Sequence, residues 1–520
     1  MSEPDQHLML AFEGETVSPW LAERLETSPP AGVTLFRGLN MSSPDQVAEL
    51  VEHLQDLNGD DAPLLVAVDQ EGGQLQGLVD STPFAGNMAL GAVDDTDLTR
   101  RVAEAMAIEL TAVGINLNYA PVADVASRPG NPSLGVRSFG EDPSLVARHV
   151  VAAVNGFRDG GVLSTLKHFP GKGEASVDPH YELPTMHLDR SRLESIELPP
   201  FREGIIAGSD LLMTGHYAVP ELTGSADIPV SMSRQAVENF VRCELDFDGL
   251  VITDALDMGA VHQNGDLEGD IIATMAGGTD LLLCMATGPQ RDRARAAVAH
   301  GIESGLIPDE TLLRSVERIS RVRRSLSRQD PEPGLVGSHK ELAAEVAERS
   351  ITLVRDDRGL LPVTYSSDTS ILVLEPQPAN VTPADTTALH PPSLGAAMRE
   401  RCPGAIEYVI FPTDPDHNTI SALTERAGRW DIAIVGTVNA NPGQARLVKS
   451  LMATGVDVVT ISMREPQDLA TYPEATTHIC TYSSHAPSMR SVVSAIFGDS
   501  EFGGRLPVSI PGIYNRGHGL

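Results

Sequence analysis

The sequence predicts an α/β protein in two parts. An N-terminal (β/α)8 barrel of the TIM type covers residues 1–328, and a smaller C-terminal α/β layered-sandwich domain covers 338–520, with a linker at 329–337. Three observations carry this reading. Short apolar runs alternate with amphipathic, helix-length stretches from the N-terminus to about residue 326. Asp69, Asn118, Lys167, His168, His216 and Asp254 fall at or just past the C-terminal ends of those runs, and a barrel gathers such ends around one mouth. The stretch Gln329-Asp330-Pro331-Glu332-Pro333-Gly334 then interrupts the pattern, as a linker does, before a second alternation begins.

Eight strands are expected, at 7–12, 33–36, 64–69, 115–119, 163–168, 210–214, 250–254 and 279–284. Ser43-Pro44 opens a helix with an N-cap and a first-turn proline. The helix expected at 97–113 stops at Gly114, and the one at 144–159 stops at Gly160-Gly161, both C-cap signals. Further helices are expected at 191–207, 233–243 and 309–326. In the second part, 341–353 reads as a helix. Short strands at 371–374, 408–411, 432–438, 456–462 and 478–482 interleave with helices at 394–401, 420–428, 445–453 and 488–497. An open doubly wound sheet is the alternative for the first part; the ring of polar strand ends favours the barrel.

A chain of 520 residues with 41% hydrophobic content is too long for one ordinary core and suits two domains. Its net charge of −33 argues against nucleic acid and anionic membrane as partners, since both would repel it. Lys167, Lys172, Lys340 and Lys449 are the only lysines, a bias that fits either a salt-rich habitat or a genome rich in arginine codons. Cys243, Cys284, Cys402 and Cys480 are far apart, match no metal spacing and read as free thiols. The opening MSEPDQHLML lacks the basic and apolar regions of a secretory signal, so a cytoplasmic protein is expected. No apolar run reaches membrane-spanning length.

Two segments repeat one design, a buried strand ending in acid. Leu64 to Val68 leads to Asp69-Gln70-Glu71-Gly72-Gly73, where the glycines permit a tight turn. A carboxylate there can accept hydrogen bonds from sugar hydroxyls, or simply face water. Gly249 to Thr253 leads to Asp254, placed to act as a nucleophile toward an anomeric carbon or to cap the next helix. Lys167-His168 supplies fixed donors at another strand end. The Pro170-Gly171-Lys172-Gly173 run beyond it lacks the spacing of a phosphate-binding loop. In Asp178-Pro179-His180 a carboxylate two residues from an imidazole can orient it and raise its basicity. Asp178, His180 and His187 lack helical metal-ligand spacing, so neither metal nor organic cofactor is expected.

Five motifs occur in one order: Asp69-Gln70-Glu71-Gly72-Gly73, Asn131-Pro132 through Arg137-Ser138-Phe139-Gly140, Lys167-His168-Phe169-Pro170-Gly171, Asp178-Pro179-His180, and Thr253 through Ala260. In this the chain resembles glycoside hydrolase family 3, in particular its β-N-acetylglucosaminidase branch. Phe502-Gly503-Gly504-Arg505-Leu506-Pro507-Val508-Ser509-Ile510-Pro511 resembles the family's C-terminal signature. The resemblance implies a retaining, exo-acting hydrolase of terminal β-linked N-acetylglucosamine. It makes Asp254 the nucleophile, His180 the general acid/base and Asp178 its partner. Asp69, Arg137, Lys167 and His168 would grip the terminal sugar, with His216 added as a further contact from its strand-end position. The chain departs from the branch at Gln74 and Gly77, where arginines are usual, at Lys172, where a histidine is usual, and at Pro179, where a serine is usual. Phosphate in place of water as acceptor, β-glucosidase specificity, and a sugar-binding protein without catalysis are the alternatives. The expected partner is a carbohydrate, either a peptidoglycan fragment or a chitin oligomer.

Overall fold

The structure is a computed structural model, and it describes all residues except 1–2, 60–61, 262–265, 285–287, 329, 367–368, 403 and 405. The eight expected barrel strands are present. They are Leu8–Ala11 (β1), Gly32–Thr34 (β2), Leu65–Val68 (β3), Leu117–Asn118 (β4), Leu163–Phe169 (β5), Leu211–Thr214 (β6), Leu250–Thr253 (β7) and Leu282–Cys284 (β8). All neighbours pair in parallel in the order β8-β1-β2-β3-β4-β5-β6-β7. A parallel bridge between Ile252 and Leu281 brings the two ends of this sheet together.

Side chains alternate across each strand, and the two faces go to different cores. Met9, Leu65, Ala67, Leu117, Leu163, Leu211, Leu250 and Ile252 pack together inside the barrel. Their neighbours Val66, Leu166, Leu212 and Val251 pack outward under the helices. The period of two also sets where function can sit. Asp69 continues the inward row of Leu65 and Ala67, Lys167 that of Leu163, and Asp254 that of Leu250 and Ile252. Asp69 and Asp254 stand one step past their strands and Lys167 within the C-terminal part of β5, so these three inward rows end in polar groups at the mouth.

The helices start where the caps predict. Ser43 Oγ accepts the Gln46 N–H at 3.2 Å ahead of Pro44–Leu57, and Asp142 accepts the Leu145 N–H at 2.8 Å ahead of Pro143–Asp159. Gly114 takes φ +78° after Thr96–Thr111, a conformation costly for any residue with a Cβ. Two expected helices differ in form. Leu193–Glu197 and Gln235–Glu244 wind wider, with the Leu198 N–H bonded to the Leu193 carbonyl and that of Leu245 to Phe240. Leu267–Ala276 and Gly288–Glu303 complete the outer ring.

The second sheet has six strands in the order Thr352–Asp356 (β9), Thr477–Cys480 (β14), Asp457–Ser462 (β13), Ile432–Thr437 (β12), Ile371–Pro376 (β10) and Ile406–Phe411 (β11). All pairs are parallel except β9 with β14. Helices cover both faces: Ile371, Val373, Ile434 and Ile461 meet Met398, Met489 and Ile496 on one side. Leu372, Leu374 and Val435 meet Leu447 and Leu451 on the other. The helix expected at 341–353 is corrected: Lys340–Ser350 is helical, and Thr352 onward is the antiparallel edge strand β9. The β-branched Ile351-Thr352 pair favours the extended backbone that β14 then pairs.

Extensive contacts join the two parts. Arg101 clamps Glu345 through two N–H groups at 3.1 and 2.8 Å, and the Arg505 N–H donates to the Ala92 carbonyl at 2.9 Å. Ser509 donates from its backbone N–H and its hydroxyl to the Glu141 carboxylate at 2.8 and 2.6 Å. Among the described residues no helix is long and apolar enough to cross a membrane.

Candidate active site

A cavity of about 510 Å³ opens at the C-terminal ends of the barrel strands. Asp69, Arg137, Lys167, His168, His180 and Asp254 all line it, so residues spread over 186 positions of sequence converge there.

At the cavity floor two carboxylates share two cations. Lys167 Nζ lies 2.6 Å from Asp69 Oδ1 and 2.6 Å from Glu71 Oε1. Arg137 binds Glu71 in bidentate fashion, Nε to Oε2 at 2.9 Å and Nη2 to Oε1 at 2.8 Å. Burial opposes ionisation of Glu71, but Arg137 and Lys167 outweigh it and hold the carboxyl well below the usual range. Asp69 moves the opposite way: burial, reinforced by the neighbouring Glu71 charge, raises it against the pull of Lys167. Glu71 is therefore the firm anion of the pair. Truncating it would strand the buried Arg137 and leave Lys167 with Asp69 alone. Glu71→Ala is expected to destabilise the fold by about 3–5 kcal/mol, read as a shift in urea midpoint at constant slope.

His168 is fixed by Asp124. Its Nδ1 donates to Asp124 Oδ2 at 2.8 Å and its backbone N–H to Oδ1 at 3.1 Å, while Nε2 stands 3.3 Å from Arg137 Nη2. Burial, with Lys172 and Arg137 nearby, pushes the imidazole well below its usual value and keeps it neutral. Its Nε2 is then an acceptor, as the Arg137 contact requires.

Asp254 follows β7, with its N–H bonded to the Thr214 carbonyl at 2.9 Å and its Oδ1 accepting the Ala255 N–H at 2.8 Å. Burial pushes its carboxyl up. His168, His216, Lys172 and the Ala255 amide outweigh burial and bring it down to about 2. Both imidazoles are themselves held down by burial, so at neutral pH the Lys172 charge and the amide are the lasting support of the anion. Lys172 is 2% exposed and lines the cavity, and burial followed by Arg137 lowers its ammonium to about 8.

His180 sits on the loop after β5. Its Nδ1 donates to Asp178 Oδ1 at 2.6 Å, and the same oxygen accepts the His180 N–H at 3.0 Å. The Asp178 side chain is 7% exposed and that of His180 27%, so the carboxylate is inside and the ring reaches the cavity. The loop is pinned beside the segment that follows Asp254, since the Gly259 and Ala260 N–H groups donate to the His180 and Pro179 carbonyls at 3.0 and 3.1 Å. This arrangement fixes the ring and leaves Nε2 to face a bound molecule.

His216 does not line the cavity. Its Nδ1 meets Ser231 Oγ at 2.7 Å and its Nε2 meets the Ala255 carbonyl at 3.1 Å, so both ring nitrogens are engaged behind Asp254. The sugar contact expected for it from its strand-end position is replaced by support of the Asp254 turn.

Sequence reasoning missed three contributors. Asp124, in the loop after β4, holds both His168 and the Lys172 N–H at 2.9 Å. Lys172, in the sequence a motif departure and part of a run without phosphate-loop spacing, is a buried cation on the cavity wall. The third is a wall from the second part of the chain: Asn380, Asp385, Thr386 and Leu389 line the cavity mouth. Asp385 holds this segment through the Arg464 guanidinium at 2.5 Å and the Val381 and Thr387 N–H groups at 3.0 and 2.8 Å. Thr386 docks on the hairpin at 70–76, donating its N–H to the Gln74 carbonyl at 2.8 Å and accepting the Gln76 N–H at 3.0 Å.

A profile of the "Glycosyl hydrolase family 3 N terminal domain" matches residues 14–322. The chain is 29% identical over 549 residues to a beta-hexosaminidase A of Pseudoalteromonas piscicida, covering 95% of this chain and 92% of that protein. A solved glycoside hydrolase family 3 beta-N-acetylglucosaminidase from Paenibacillus sp. str. FPU-7 superposes with TM-score 0.91 at 32% identity, covering 98% of each chain. A fungal multi-domain beta-N-acetylglucosaminidase of the same family superposes with TM-score 0.91 at 30% identity, over 99% of this chain but 61% of that one. With the profile spanning more than half of its length, the chain belongs to glycosyl hydrolase family 3 and is a glycoside hydrolase.

Proposed function

We propose that the chain is a retaining, exo-acting β-N-acetylglucosaminidase. The observation that carries this reading is one cavity that holds an ionised Asp254 and an imidazole, His180, oriented by Asp178 at 2.6 Å. In the first step the Asp254 carboxylate attacks the anomeric carbon. The bond to the aglycone oxygen breaks, and that oxygen takes the Nε2 proton of His180. In the second step His180 Nε2 removes a proton from water, which attacks the same carbon and displaces Asp254. Two inversions leave the β configuration. The names of the hexosaminidase and N-acetylglucosaminidase relatives support the substrate. His168, Lys167, Arg137 and Asp69 supply the donors and acceptors that would hold the sugar ring, and no cofactor enters either step.

The test is kinetic and stereochemical. With aryl β-glycosides, kcat/KM is expected to be higher for the N-acetylglucosaminide than for the glucoside, and proton NMR is expected to show the β-sugar forming first. The reverse preference would overturn the substrate assignment, and the α-sugar appearing first would overturn the double displacement.

A second reading takes phosphate as the acceptor. It is favoured by Lys172, a buried cation on the cavity wall whose side chain makes no hydrogen bond or ion pair among the described residues. Hydrolysis is expected to dominate at millimolar phosphate; sugar 1-phosphate as the main product would decide for the second reading.

A further inference from the structure

One basic side chain in the cavity has no role in the chemistry above. Arg37 lies three residues past the end of β2 and lines the cavity, as Asp69 and Gly77 do. Among the described residues its side chain makes one hydrogen bond, Nη1 to His390 Nε2 at 3.3 Å, and no ion pair within 4.0 Å. His390 is neutral, since burial, then His485 and Arg37 itself, bring it down to about 3. It therefore accepts from Arg37 without neutralising it. The nearest influential carboxylate, Asp80, acts on Arg37 only at longer range. In a chain with 71 acidic residues, a half-buried guanidinium left without a carboxylate is placed for a ligand.

Strand order says which end of the ligand it meets. Asp254 follows β7, and the His180 loop is pinned to residues 259 and 260 just beyond it. The scissile bond must lie on that side. Arg37 and Asp69 follow β2 and β3 on the other side of the mouth, where the Thr386 segment closes the cavity by docking on Gln74 and Gln76. That side is a blind end. It is also where the chain cannot carry an arginine of its own at position 77: a Cβ on Gly77 would stand 2.4 Å from Val68 Cγ2 and 2.5 Å from the Asp69 carbonyl.

We propose that Arg37 is a substrate-binding residue that grips hydroxyls of the terminal sugar at the end away from the scissile bond, held in place by His390 of the second domain. This rests on the glycosidase reading above. It gives the C-terminal domain a part in substrate recognition, through one neutral imidazole that orients a barrel arginine.

The test combines Arg37→Ala, Arg37→Lys and His390→Ala with aryl N-acetylglucosaminides deoxygenated singly at C3, C4 and C6. For Arg37→Ala on the parent substrate, kcat/KM is expected to fall by about 10- to 100-fold, the range of a hydrogen bond to a charged group. Arg37→Lys should recover part of that loss, and His390→Ala should show a smaller loss through disorder of the guanidinium. One of the deoxy substrates should be penalised in the wild type and hardly at all in Arg37→Ala, a result that mere structural damage does not produce. If Arg37→Ala stays within threefold of wild type, or every deoxy penalty is the same in both proteins, the proposal is wrong while the reaction stands. If the wild type does not cleave the parent substrate, the reaction assignment falls and the proposal falls with it.

Discussion

Asp254→Asn is expected to fold normally and turn over no glycoside at a useful rate. The substitution keeps the shape of the strand end, and the amide oxygen can still accept the Ala255 N–H that now binds Oδ1 at 2.8 Å. What it removes is the anion. The wild-type carboxyl, brought down to about 2, is ionised at every pH at which the protein would be assayed. No acid limb of the pH–rate profile should therefore trace to Asp254, and the limb that is seen belongs to another group. Loss of a covalent nucleophile costs on the order of 10⁴–10⁶-fold in kcat. The measurement is steady-state turnover of an activated aryl glycoside beside near-UV circular dichroism. Turnover within tenfold of wild type, with the native spectrum, would remove Asp254 from the mechanism.

His180→Ala is expected to show a loss that depends on the leaving group. A departing sugar oxygen is strongly basic and needs a proton in the transition state. A nitrated phenol is stable as an anion and does not. General acid catalysis is worth about 10²–10⁴-fold, so natural linkages should lose that much, while the first step with a nitrophenyl substrate should lose far less. The second step still lacks its base. Sugar should then accumulate on Asp254, visible as a burst of phenol and as an added mass on the intact protein. Azide needs no base to attack the anomeric carbon and should relieve the block. Asp178→Ala should give a milder form of the same pattern, because it removes only the carboxylate at 2.6 Å that fixes the ring. Equal losses for good and poor leaving groups, without azide rescue, would make His180 a binding or structural residue.

The barrel was legible because each strand writes the same message twice. A row of alternating inward side chains is bulky and apolar, and the row ends abruptly in Asp69, Lys167 or Asp254. Local pattern suffices to see both. Other parts of the site have no local pattern. Asp124 sits in a loop rich in alanine, proline and valine, and its value comes only from His168 and Lys172 folding over it. Glu71 was visible as part of a motif, yet its bridging of Lys167 and Arg137 needs three segments brought together. His216 has the right strand-end position for a sugar contact; the Ser231 hydroxyl and Ala255 carbonyl take both its nitrogens. Strand β9 was hidden because a helical pattern runs into it without a glycine or proline to mark the change. The 380–389 segment reads as an ordinary polar loop, and only its landing place near Gln74 reveals a cavity wall.

That landing place has a consequence for how the enzyme is made. Thr386 and its acceptor at Gln74 are 312 positions apart. A ribosome moving at about 5–20 residues per second needs on the order of 15–60 s to travel that distance. Only over the last 102 of those positions, from Cys284 to Thr386, are all eight strands of the barrel available to pair while the blind end of its pocket still stands open. A nascent barrel would have an unfinished cleft rather than a one-sugar pocket. On the proposed exo-acting reading, discrimination between chain ends and chain interiors would then be a property acquired late in synthesis, after Asp254 and His180 have been made.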